Sequence, residues 1–193
     1  MNSIRFTRLA IVAAVVVALA ALPAISGAKS SSKSLTFKRT GGTTLKLDPG
    51  TAEALTSLGV SVAPIKPATA GSKGVTFPIT GGKVNAKSLA GNIKHSGGLR
   101  LSSGSTTVDL KNFTIKINKK PNLVATVGDA RVSILTLDLS SLKNSSKGRK
   151  IKLSGVKASL TQAAADALNG AFGTTAFTKG LVLGTATVEG RVK

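Results

Sequence analysis

Along most of the chain apolar and polar residues alternate with a period of two, and the alternation slips by one residue at several points. Thr106, Val108 and Leu110 keep one phase, whereas Phe113, Ile115 and Ile117 keep the other. Val132 and Ile134 give way in the same manner to Leu135, Leu137 and Leu139. Gly155 separates Ile151 and Leu153 from Val156, Ala158 and Leu160. Period two marks a half-buried strand. A one-residue slip would turn every later side chain to the wrong face unless a bulge absorbed it. The pattern therefore predicts a mainly β fold of long, bulged antiparallel strands, either a twisted β-sandwich or a partly closed barrel.

Two segments break the period. Asp48-Pro49 opens a short helix over 49–58, with Asp48 as N-cap, Pro49 at the first helical position and Gly59 at its end. Thr161 caps a second helix, on which Leu160, Ala164, Leu168 and Phe172 form one apolar stripe. Leu47-Asp48 and Ala52-Glu53-Ala54-Leu55 match Leu160-Thr161 and Ala165-Asp166-Ala167-Leu168 at a constant offset of 113 residues. This suggests a weak internal repeat, with two similar helices covering the ends of one β-structure. Elsewhere, Leu35, Phe37 and Arg39 open a strand that Gly41-Gly42 turns. Residues 64–73 read as a Pro/Ala/Gly connector. Residues 74–80 form a strand that Pro78 assigns to an edge or a bulge, and Gly81-Gly82 reads as a hairpin turn into 83–95.

The N-terminus changes the picture of where this domain works. Arg5 and Arg8 precede fourteen apolar residues from Leu9 to Leu22, then Pro23 and the small residues Ser26-Gly27-Ala28. This is the pattern of a secretory signal over 1–28, cut after Ala28, and the run is short of the ~20 apolar residues a spanning helix needs. No second apolar span follows. A flexible Ser/Lys tail over 29–34 and a single β-rich domain over 35–193 complete the expected organisation of an exported, envelope-associated protein. Net charge is +20 for the whole chain and +18 once 1–28 is removed. Such a surface attracts anionic envelope polymers. The basic residues are scattered, however, and phenylalanine is the sole aromatic, so specific nucleic-acid binding is not indicated.

Candidate chemistry is sparse. The chain has no cysteine, tyrosine or tryptophan, and His95 is its one histidine. Thiolate nucleophiles, disulfides and Cys-based metal sites are excluded, and a His-based metal site lacks companions. A general base would need an orienting acid, for which Asp109 is nearest in sequence. Ile79-Thr80-Gly81-Gly82-Lys83 lacks the spacing of a phosphate loop. Asp109 and Asp138 read as polar-face strand residues and Asp48 as a cap, so no carboxylate pair for hydrolysis emerges. The residues predict no enzyme, no metal and no cofactor. For His95 they leave open a structural hydrogen-bonding role, a ligand contact and, more remotely, catalysis.

The segment Gly91-Asn92-Ile93-Lys94-His95-Ser96-Gly97-Gly98-Leu99 is followed by Leu123-Val124-Ala125-Thr126-Val127 and Leu137-Asp138-Leu139-Ser140. The chain then ends through Ala171-Phe172-Gly173, Phe177, Gly180 and Leu183-Gly184-Thr185-Ala186. This order resembles the HtaA-type domain of secreted and surface proteins of actinobacteria, over about residues 72–190. The resemblance implies haem capture without catalysis, with a tyrosine on the iron and a histidine supporting that tyrosine by hydrogen bonding. His95 matches the histidine, and the tyrosine has no counterpart. Two functions are therefore expected. The first is an exported, non-catalytic envelope module binding haem or another hydrophobic or anionic ligand, with His95 as the candidate contact. The alternative is a structural or adhesive basic β-protein held on anionic cell-wall polymers.

Overall fold

Each slip of the apolar phase coincides with a bulge in the computed structural model, which describes residues 33–193. Twelve strands and two helices follow one another: β1 (Ser34–Leu47), α1 (Pro49–Ser57), β2 (Ser61–Ile65), β3 (Thr69–Gly71), β4 (Gly74–Asn85), β5 (Gly91–His95), β6 (Gly98–Ser103), β7 (Thr106–Ile117), β8 (Asn122–Val127), β9 (Ala130–Asp138), β10 (Lys143–Asn144), β11 (Lys150–Leu160), α2 (Gln162–Phe172) and β12 (Val182–Val192). In the ladder with β8, Lys111 faces Thr126 and Thr114 faces Val124, which leaves one extra residue in β7 where Asn112 has φ 52°. Leu135 faces Leu123 and Ser133 faces Val124, so Ile134 is the extra residue of β9 and both Ile134 and Leu135 are buried. Leu153 faces Val188 and Val156 faces Ala186, placing a third bulge beside Gly155.

These bends let the sheet curl until it meets itself. The order β7-β5-β4-β1-β12-β11-β9-β8 returns to β7 through the β7–β8 ladder, an eight-stranded antiparallel barrel with no free edge in that ring. Closure decides between sandwich and barrel in favour of the barrel. Arg131 reinforces the β7 bulge, donating from Nη1 to the Asn112 carbonyl at 2.6 Å and from Nη2 to Thr114 Oγ1 at 2.8 Å. At one end β7 changes partner from β5 to β6, and β2 extends the sheet beyond β6.

Three local expectations are corrected. Gly41-Gly42 does not turn the chain: β1 runs through it, with a register shift between Phe37 and Gly41. Gly81-Gly82 also lies inside a strand, and the β4–β5 turn falls at residues 86–90. The glycine is needed there for close approach, since a Cβ on Gly82 would stand 2.3 Å from the Asn92 carbonyl oxygen. Pro78 sits on β4, between β1 and β5, and faces Gly42 where the β1 register shifts, so it marks a bulge and not an edge. The 64–73 connector contains the end of β2 and all of β3.

Both helices form where their caps direct. Asp48 accepts from the Gly50 and Thr51 amides, and Thr161 accepts from the Ala164 amide at 3.1 Å. Gly173 ends α2 in the left-handed conformation. The helices follow β1 and β11, whose C-terminal ends pair with the start of β12 at Leu47↔Gly184 and Ser159↔Val182. Both thus lie over the same end of the barrel, not one over each. The residues that recur 113 apart have matching surroundings: Leu47, Leu160, Leu55 and Leu168 all line one cavity beneath the helices.

The expected signal segment 1–28 and residues 29–32 lie outside the described residues. Within the tail, Ser34 already pairs with Asn85 in the β1–β4 ladder. No helix among the described residues is long and apolar enough to cross a membrane.

Candidate functional site: a barrel lumen with a buried histidine in its wall

His95 ends β5, and the glycines after it explain why the chain can leave that strand where it does. A Cβ on Gly98 would lie 2.1 Å from the Leu110 carbonyl oxygen, so only glycine lets β6 begin hard against β7. The Asn112 amide closes the crossing by donating to the Gly97 carbonyl at 3.0 Å. In this arrangement the side chains of Ile93 and His95 are both buried.

Both ring nitrogens of His95 are occupied. Nδ1 lies 3.3 Å from the Phe113 carbonyl oxygen, which can only accept, so Nδ1 carries the proton. Nε2 then accepts from Thr43 Oγ1 at 2.7 Å. Burial pushes the imidazole pKa down to about 4, outweighing the opposing pull of the Phe113 carbonyl. The ring is neutral at pH 7 and has no spare lone pair. Thr43, which sequence reasoning missed, is itself only 5% exposed. Nothing in the local pattern links residues 43 and 95; only the barrel brings β1 and β5 to either side of β4.

Asp109, the acid nearest His95 in sequence, and Asp138 are both engaged elsewhere. Asp109 accepts two hydrogen bonds from Arg100, at 2.7 and 2.8 Å, and pairs with Lys111 at 3.0 Å. The Arg100 guanidinium, helped by Lys111, holds its carboxyl well below the usual carboxylate range. Asp138 accepts from the Ser140 amide within its own loop. Among the described residues no group of three or more His, Asp or Glu side chains is placed to hold a metal ion.

Thr43 opens onto the barrel interior. There Leu45, Phe77, Phe113, Ile115 and Leu135 surround an apolar cavity of about 110 Å³. A second apolar cavity, of about 100 Å³, lies under the helices against Ala164 and Leu168. The two share Leu45, Leu99, Leu110, Ile134, Leu135 and Leu183, so they follow one another along the barrel axis. Eight strands enclose just enough room for side chains or one small ligand. Leaving a cavity of about 110 Å³ unfilled costs about 2–3 kcal/mol.

Haem, the cofactor implied by the resemblance, does not fit these residues as an axially ligated group. His95 has no free nitrogen, the chain has no tyrosine or cysteine, and its single methionine is Met1. Pockets that take cofactor-sized ligands span about 300–1,000 Å³. Each lumen cavity is smaller, closer to the ~150 Å³ apolar hole that accepts one benzene.

Comparison with known proteins bears on the fold and the family. The HtaA family model matches residues 61–176. Among solved structures, the C-terminal domain of HtaA from Corynebacterium glutamicum superposes with a TM-score of 0.64 at 17% identity, over 82% of this chain and 99% of that one. The N-terminal domain of the same protein gives 0.58 at 12% identity, over 79% and 97%. The haem-binding protein HtaB from that organism gives 0.53 at 12% identity, over 83% and 96%. No curated protein sequence matches the chain.

Proposed function

The chain belongs to the HtaA family, and from that membership we propose that it is an exported, non-catalytic envelope module that binds a hydrophobic ligand by apolar burial, without iron ligation. The observation that carries this reading is the pair of apolar cavities stacked inside a closed barrel whose one histidine is saturated by the protein. Haem binding is a property of one protein of similar fold, HtaB from Corynebacterium glutamicum. In this chain the side chain hydrogen-bonded to His95 is Thr43, and a threonine hydroxyl is no substitute for a phenolate on ferric iron. His95 holds Thr43 from within the barrel wall and does not itself touch the ligand.

The test is a paired titration with ferric haem and iron-free protoporphyrin. The proposal predicts equal affinities, no absorbance signature of an axial ligand, and no change in His95→Ala. Tenfold or tighter binding of the iron form, lost in His95→Ala, would contradict it. So would the absence of saturable binding by the porphyrins, anilinonaphthalene sulfonate and aliphatic probes alike.

A basic groove supports a second reading, adhesion to anionic wall polymer. Lys147, Lys150, Lys152 and Arg191 line a surface depression of about 420 Å³, with Glu189 the one acid among them. Release from isolated walls by moderate salt is expected on that reading, because such attraction is screened over about 10 Å at 0.1 M salt. Retention in high salt counts against it.

A further inference from the structure

We propose that the lumen takes a single-chain anionic amphiphile, with its aliphatic tail along the barrel axis and its head group at the end remote from the helices. This rests on reading the lumen as the ligand site and adds the chemical class. The shape of the lumen favours a linear tail. Two cavities of about 110 and 100 Å³, bordered in common by five leucines and one isoleucine, follow one another along the barrel as a row. An unbranched chain can thread such a row, whereas a planar macrocycle would have to force the barrel apart. The lining offers almost no polar group to orient a ligand, Thr43 and Ser88 being the exceptions. A tail without heteroatoms suits it.

The first cavity reaches the surface at the end remote from the helices. Ser88 and Leu89 at the β4–β5 tip, and Leu139 and Leu142 after β9, line it and are exposed or only partly buried. Each is next to a cation or close to one. Lys87 precedes Ser88, Lys143 follows Leu142, and Lys119 and Lys120 form the turn between Ile117 and Leu123, which also line the cavity. All four lysines are exposed, and none appears among the ion pairs of the described residues. The nearest acid along these loops, Asp138, is held by the Ser140 amide. Unpaired cations around an apolar mouth would fix an anionic head while the tail is buried.

The experiment is calorimetric titration of the purified protein with palmitate, hexadecyl phosphate and hexadecanol. Saturable one-to-one binding of the two anions is expected, with hexadecanol weaker. The carboxylate and phosphate arms tell which head group is preferred. Ala186→Phe, which fills the first cavity, should weaken palmitate by about tenfold or more. Lys119→Ala with Lys120→Ala should weaken palmitate by about threefold and leave hexadecanol unchanged. A reading that needs no variant comes from 16-doxyl-stearate, whose nitroxide should broaden the methyl resonances of Leu45, Leu110 and Leu135. Failure of both anions to bind, undiminished binding in folded Ala186→Phe, or broadening confined to surface methyls would overturn the proposal. If iron-free porphyrin or anilinonaphthalene sulfonate binds saturably while palmitate does not, this inference fails and the broader reading stands. If none binds, both fail.

Discussion

At one end of the barrel two capped helices lie over the lumen, and Asp48, Glu53, Asp129 and Asp166 are placed there among the basic residues. At the other end the lumen is bounded by the tips of three loops, 86–90, 118–121 and 139–142, and the charges beside them are mostly lysines. The first end is built like a core: Leu55, Ala164, Ala165 and Leu168 are buried under helices fixed by their caps. The second is built from half-exposed Leu89, Leu139 and Leu142. An end that carries stability tolerates little change, whereas an end that admits a ligand must open at small cost. The contrast assigns stability to the helix end and traffic to the lysine end.

The largest predicted effect tests that assignment directly. Leu168→Ala removes a buried side chain from under α2 and should cost about 2–5 kcal/mol in denaturant unfolding. Leu142→Ala at the opposite rim should cost about 1 kcal/mol or less. Equal losses would erase the distinction between the ends.

The next effect comes from the wall between them. His95 titrates near 6.5 when unfolded and near 4 when buried, so the unfolded chain binds the extra proton between those values. Its contribution is therefore fully present above about pH 6.5 and is lost as pH falls through about 4, a change of about 3 kcal/mol. His95→Leu should flatten this part of the stability profile. A slope that persists in the variant would place its origin elsewhere.

Smaller effects follow at the caps. Asp48→Ala and Thr161→Ala should each cost about 1 kcal/mol, since each leaves helix amides without their acceptor. Smallest of all, Lys119→Gln with Lys120→Gln should change stability by no more than about 0.5 kcal/mol. A thermal melt would check this, and a large loss would mean that the lysine end is structural after all.

Much of the barrel was legible in the residues because its construction is local. The switch from Leu110 to Phe113 and the doubling at Ile134-Leu135 each record a bulge in the apolar phase itself. The caps Asp48 and Thr161 announce helices within three residues. The glycine pairs were harder, because the same dipeptide serves a tight turn or a close approach of strands. At Gly81-Gly82 the close approach is set by Asn92 on the neighbouring strand, ten residues away from Gly82 in sequence. The connector concealed β3, whose three residues Thr69, Ala70 and Gly71 are too few and too weakly patterned to read. The site was the least legible part. His95 stood out by rarity, yet its partner Thr43 is one threonine among many and lies 52 residues away. The lumen lining comes from nine strands and connecting loops, and no local pattern distinguishes a filled barrel from one with room inside.

The chain has a single histidine, so its imidazole ¹⁵N spectrum contains one pair of resonances to assign. The neutral tautomer with the proton on Nδ1 is expected from pH 8 down to about pH 5, unchanged when ferric haem is added. Protonation at its ordinary value near 6.5, or paramagnetic loss of the Nε2 resonance on adding haem, would show that His95 is open to solvent or iron and would contradict the account.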